Sequence, residues 1–97
     1  YKGERTMEFQ IEEGRVFSVN EQQEVMAEAT YVQLGGGVVD IDHTFVNPTL
    51  RGQGVAGKLM EALANELRAR HLKATASCSY AEVWLEKNRE AYGDIIA

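Results

Sequence analysis

A single cysteine, Cys78, rules out an intrachain disulfide, so the chain must hold itself together by packing and suits a reducing, cytoplasmic setting. The single proline, Pro48, stands in the excluded position of Asn47-Pro48-Thr49, so the one sequon-like stretch supports no secretory reading. No apolar run approaches the ~18 residues of a membrane span, and neither a signal peptide nor a membrane partner is expected. Positive charge is also scarce. Ten basic against fifteen acidic side chains leave a formal net charge of −5, the wrong sign for general attraction to nucleic acid. A cationic or amine substrate suits that balance slightly better. What remains is ordinary globular material, 44% hydrophobic and 26% charged over 97 residues, enough for one domain with one modest core.

Hydrophobic periodicity divides the chain into strands and helices. Tyr1 to Arg5 has none and reads as a clipped or added tail outside the fold of a single domain over 1–97. From Thr6 to Ile11, Met7, Phe9 and Ile11 alternate with polar neighbours, as in a half-buried strand. Glu13-Gly14 turns into a second strand over Arg15 to Val19, and Asn20 to Gln23 turns into a third over Glu24 to Leu34. After Gly35-Gly36-Gly37 a fourth strand runs from Val38 to Val46. Strict alternation puts Val39, Ile41, His43 and Phe45 on its apolar face and Asp40, Asp42 and Thr44 on the other. Helical spacing of Ala56, Leu59, Met60, Leu63 and Leu67 predicts a helix from about 55 to 70, and Leu72 to Ser77 a fifth strand. Tyr80 to about Glu90 reads as a last helix, with Tyr80, Val83, Trp84 and the Lys87 stem on one side. Strand, helix, strand in this order is a right-handed crossover joining two parallel strands. The expected class is therefore α/β (α+β): a five-stranded mixed sheet with one crossover helix and one C-terminal helix.

Between the fourth strand and the first helix lies Leu50-Arg51-Gly52-Gln53-Gly54-Val55-Ala56-Gly57. Glycines allow a tight turn and a close approach of backbone to ligand, and a helix starting there directs unpaired N–H groups at an anion. Three phosphate motifs overlap in this stretch. Gly52-x-Gly54-x-x-Gly57 copies the dinucleotide fingerprint, but Ser77, Cys78 and Ser79 stand where its acidic residue belongs. Gly52 to Lys58 copies a P-loop up to the last position, where Leu59 replaces the magnesium-binding hydroxyl. Arg51-x-x-Gly54-x-Ala56 resembles the motif with which the GNAT acetyltransferase superfamily holds the pyrophosphate of acetyl-CoA.

Together with His43-Thr44-x-Val46 and Cys78-Ser79-Tyr80, this motif makes residues 6 to 95 resemble the very small, NATD-like acetyl-CoA-binding members of that superfamily. The sequence departs from their pattern at Phe45, where an acidic residue is usual, and at Ala76, where proline is usual. Only Glu13-Gly14 separates the first two strands, where larger relatives insert the helices of their acceptor site, and Leu85 aligns with their proton-donating tyrosine. The resemblance implies acetyl-CoA (coenzyme A) as cofactor, with Arg51, Gly52, Gln53, Gly54, Val55, Ala56 and Gly57 at the pyrophosphate and the backbone of Phe45 and Val46 along the pantetheine arm.

Chemistry would then fall to two side chains. Cys78, at the end of the fifth strand and the start of a helix, is the candidate nucleophile or acid. His43 is the candidate base for an incoming amine. The bland alternatives are a small buried hydrophobe for Cys78 and a hydrogen-bonded core histidine for His43. The function expected is acetyl transfer to an unidentified amine or thiol acceptor by a monomer or weak dimer, through Cys78, without metal. A non-catalytic acyl-CoA-binding or sensing module is the alternative.

Overall fold

A computed structural model describes residues 8–97. Tyr1 to Met7, which include the expected tail and the start of the first expected strand, lie outside the described residues. The chain forms β1 (Gln10–Glu12), β2 (Arg15–Val19), β3 (Val25–Gly35), β4 (Val38–Val46), α1 (Val55–Ala69), β5 (Lys73–Ala76), α2 (Ser79–Lys87) and α3 (Arg89–Tyr92), with 3-10 turns at Pro48–Leu50 and Gly93–Ile95. The five strands make one sheet in sequence order. Its first three pairings are antiparallel, and β4 with β5 is parallel. This is the mixed α+β architecture that the periodicity predicts. Gly14, at φ 76°, closes the β1–β2 hairpin against Tyr31, whose N–H donates to the Gly14 carbonyl at 2.9 Å.

One face of the sheet carries the core. Val16, Ala27, Ala29, Tyr31, Val39, Ile41 and Ala74 meet Leu59, Met60, Leu63 and Leu67 of α1 and Ala81, Trp84 and Leu85 of α2 in a single apolar cluster. Small residues on the inner strands let α1 lie close to the sheet, and the large residues come from the helix. The C-terminal helical stretch is shorter than expected. It breaks at Asn88, whose side-chain amide donates to the Trp84 carbonyl at 2.8 Å, and α3 starts immediately after it. Its buried face also differs from the expected one: Ala81, Trp84 and Leu85 point inward, while Tyr80 and Val83 are exposed. The actual inward set follows the i, i+3, i+4 rule once Ala81 replaces Tyr80 as its first member.

The larger correction concerns β4. Thr30 pairs with His43 and Tyr31 with Ile41, so Asp42 has no partner and forms a β-bulge. An extra residue reverses the inward and outward sense of everything after it. Val39 and Ile41 are buried as expected, but Thr44 and Val46, opposite the buried Ala29 and Ala27, then take the inward positions. His43 and Phe45 are turned to the outer face. His43 is therefore not a core histidine: its side chain is 54% exposed.

Candidate functional site

The bulge also separates two strands. β5 pairs with β4 from Val38 to Ile41 and no further, and the N–H groups of both Ser77 and Cys78 donate to the Ile41 carbonyl at 3.1 Å. A bulged strand bends. Beyond Ile41, β4 keeps β3 on one side and has no paired strand on the other. The two strands thus part into a cleft between the end of β4 and the start of α2.

The turn is built from local rules. The Asn47 carboxamide accepts from the backbone N–H and the hydroxyl of Thr49, at 2.9 and 2.7 Å, and so starts the 3-10 turn Pro48–Leu50. The chain then reaches α1 through Gly52 at φ 81° and Gly54 at φ 72°, both in the left-handed region that glycine occupies without strain. Gly54 is the N-cap of α1 and supplies no side-chain acceptor. A first helical turn has N–H groups with no intrahelical partner, here those of Val55, Ala56 and Gly57. The N–H of Lys58 is the first to be used, on the Gly54 carbonyl at 3.2 Å. Gln53 differs from its neighbours, because its N–H already bonds the Leu50 carbonyl at 3.3 Å. Open space lies in front of Gly52, Gly54 and Gly57, where an added Cβ would meet nothing within 4 Å. An anion such as a pyrophosphate fits this place in charge and in access. Arg51 lies at its edge, exposed and in no ion pair among the described residues.

Cys78 lies across the cleft from β4. It is the N-cap of α2, partly buried, with Sγ 3.4 Å from the Thr44 hydroxyl. Burial pushes the thiol up, but the Thr44 hydroxyl and the N–H groups of Ala81, Tyr80 and Thr44 outweigh it, so the thiol titrates below its ordinary value. His43 lies on the other side of β4, with Nε2 3.9 Å from a Glu28 carboxylate oxygen. Cys78 and His43 thus occupy opposite faces of the cleft wall and make no contact.

Thr44 is the residue that alternation misses. Without the bulge it would face outward, and no local signal in Val38–Val46 announces the extra residue. Asp40 and Asp42 stay outward as expected, and both are held by hydroxyls. Thr75 and Ser77 donate to Asp40 at 2.6 Å each, and Thr30 donates to Asp42 at 2.6 Å. The hydroxyl bonds from Ser77 and Thr75 hold the Asp40 carboxyl below the usual range. Among the described residues no cluster of metal-ligating side chains occurs and no helix is long and apolar enough to cross a membrane.

Known structures share this fold. A GCN5-like protein from Staphylococcus aureus, solved by solution NMR, is 35% identical over 94% of this chain and 88% of its own, with a TM-score of 0.76. GCN5 from Tetrahymena superposes with a TM-score of 0.62 at 12% identity, over 75% of this chain and 48% of its own. The ribosomal-protein-S18-alanine N-acetyltransferase of Escherichia coli does so at 0.59 and 21%, over 89% and 53%. Against these two enzymes the chain spans about half their length, and at such identities the likeness is one of fold. A search of curated proteins finds no match. The model of the GCN5-related N-acetyl-transferase family matches residues 15–95, the whole stretch from β2 to the C-terminal turn. With its cleft, its glycine turn and this match, the chain belongs to the GCN5-related N-acetyltransferase family.

Proposed function

We propose that this protein binds acetyl-CoA at the glycine turn and along the β4–β5 cleft, and passes the acetyl group to an acceptor through Cys78. The observation that carries the binding claim is the start of α1: an N-cap glycine with no side-chain acceptor and open space in front of it, reached from β4, the strand that parts from its parallel partner. Gly54, Val55, Ala56 and Gly57 offer N–H groups to the pyrophosphate, with Gly52 shaping the turn. Gln53 contributes through its neighbours, since its own N–H is used within the loop. Arg51 adds positive charge at the edge. Val46 turns its backbone groups to the unpaired side of β4, where they suit an amide of a pantetheine arm, whereas the backbone groups of Phe45, also expected there, face Glu28 on β3.

Bound acetyl-CoA supplies an activated thioester. Cys78, favoured as thiolate by its place at the start of α2, attacks the carbonyl. A sulfur–carbon bond forms to Cys78, the bond to the coenzyme sulfur breaks, and CoA leaves as the thiol with the proton that Cys78 gave up. An amine or thiol acceptor then takes the acetyl group from Cys78. His43, exposed on the outer face of β4 and out of contact with Cys78, is not in reach of an amine attacking at that sulfur and takes no part in this step.

Two observations favour the non-catalytic alternative, an acyl-CoA-binding or sensing module. Leu85, at the place of the larger relatives' tyrosine, is buried in the core and can protonate nothing. The β1–β2 connection is the two-residue turn Glu13-Gly14, with no acceptor-binding helices in it.

One experiment separates the readings. Acetyl-CoA at about 100 times its dissociation constant should stabilise the fold by roughly 2.7 kcal/mol in thermal melts. Arg51→Ala should weaken binding about tenfold, the size expected for losing a charge-assisted hydrogen bond. Intact mass after incubation should show an acetyl adduct on the natural sequence and none on Cys78→Ala. Absence of a melting shift would end the binding claim. A shift without an adduct or thioester cleavage would leave the sensing module.

A further inference from the structure

We propose that Thr44 is the positioning residue of Cys78, its hydroxyl bridging the β4–β5 cleft and holding the sulfur in place by a hydrogen bond. The inference rests on the reading of Cys78 as a nucleophile, but its geometry is independent of any ligand. The two residues are 34 positions apart, Thr44 on β4 and Cys78 at the N-cap of α2, both beyond the point where β4 and β5 part at Ile41 and Ala76. Past that point the hydroxyl–sulfur contact at 3.4 Å is the side-chain hydrogen bond that crosses the gap among the described residues. It exists because Asp42 bulges. With regular alternation the Thr44 hydroxyl would sit on the outer face and a histidine imidazole would face Cys78 instead.

The direction of the bond follows from valence. A thiol can donate or accept, but a thiolate only accepts, so in the reactive form the Thr44 hydroxyl donates to sulfur. A donor held in place by a strand stabilises the anion without first having to be ordered, at a sulfur that packs against the edge of the apolar cluster. Competing charges stand off. On β4 the outer face takes His43 and Asp42, and Asp40 is occupied by Thr75 and Ser77. On α2 the ionisable groups of the first turn are Tyr80 and Glu82, and neither makes an ion pair or hydrogen bond with Cys78. Thr44 is left as the side chain that acts on the sulfur.

The test is alkylation of Cys78 by iodoacetamide as a function of pH, with no CoA present. The protein has one thiol, so the rate reads that sulfur directly. Thr44→Val keeps the β-branched shape and removes the hydroxyl, and Thr44→Ser keeps the hydroxyl. We expect the Thr44→Val profile to move to higher pH, with a severalfold slower rate at a pH below the natural midpoint, and Thr44→Ser to follow the natural sequence. A Thr44→Val profile that overlays the natural one overturns the proposal, as does a Thr44→Ser profile that shifts with Thr44→Val. Melting curves of both variants with CoA check that each is folded and binds. A failure to bind CoA in the natural protein counts against the proposed function and leaves the alkylation result intact.

Discussion

Tyr31 is almost entirely buried, at 4% exposure, and its hydroxyl is the buried side-chain oxygen with no hydrogen-bond partner among the described residues. Removing an unsatisfied group of this kind relieves a desolvation penalty of about 1 kcal/mol or more. Tyr31→Phe should therefore leave the urea midpoint unchanged or raise it, where most core substitutions lower it. The glycines of the turn divide in the same residue-by-residue way. Gly54 sits at φ 72°, which a side chain adopts at a penalty of about 1–2 kcal/mol, so Gly54→Ala should destabilise by that amount. Gly57 lies in the first turn of α1 with open space around its Cβ direction, so Gly57→Ala should stabilise by about 0.5–1 kcal/mol. Urea unfolding of the two variants should show opposite signs. If both destabilise alike, the left-handed geometry assigned to Gly54 alone is wrong.

At the scale of elements, the C-terminus depends on α1. Arg68 reaches from the last turn of α1 to Asp94 with two bonds of 2.7 Å and to the Ala91 carbonyl at 2.9 Å, and its guanidinium lies 4.9 Å from the centre of the Tyr92 ring. These contacts hold Ile95, 2% exposed, against the core, and let Ala97 donate to the Ala74 carbonyl at 2.9 Å on the edge of β5. Arg68→Ala should leave α1 and the sheet folded and speed amide exchange at Ile96 and Ala97, detectable by NMR. Unchanged protection there would show that apolar packing of Ile95 suffices. The elements themselves were legible to different degrees. α1 matches its periodicity because it buries one face against a single partner layer, whereas β4 keeps its alternation only as far as Ile41. The end of the last helix was not legible, because Asn88 is a poor stop signal until its amide bonds back to Trp84. The Trp84–Tyr92 contact, with ring centroids 5.2 Å apart, follows from that break.

Over the whole molecule the charge balance is acidic, and several carboxylates are held below their usual range by a bonded partner: Asp40 by the Ser77 and Thr75 hydroxyls, Glu86 by Arg89, and Asp94 by Arg68. A carboxyl whose folded value is depressed contributes stability above its unfolded value, about 4, and loses it as pH falls through the folded value. Stability should thus hold from neutral pH down to about 4 and fall on further acidification. Glu86 and Asp94 are exposed and Asp40 is only partly covered, so the effect should be small and shrink in high salt. Urea midpoints at several pH values in low and high salt check both statements. A loss of stability that begins near neutral pH would require a different set of groups.

The sequence by itself determined the strand and helix order, the apolar face of α1, the turn at Gly52–Gly57 and the family likeness, because these rest on local periodicity and on glycine's access to left-handed backbone. The tertiary structure alone decided which side chains meet in the cleft. A single unpaired residue, Asp42, reverses the facing of every residue after it, moving His43 and Phe45 outward and Thr44 inward to Cys78. Its presence shows only in the register of β4 against β3, where Thr30 meets His43 and Tyr31 meets Ile41, a relation between two strands that no alternation along one strand contains.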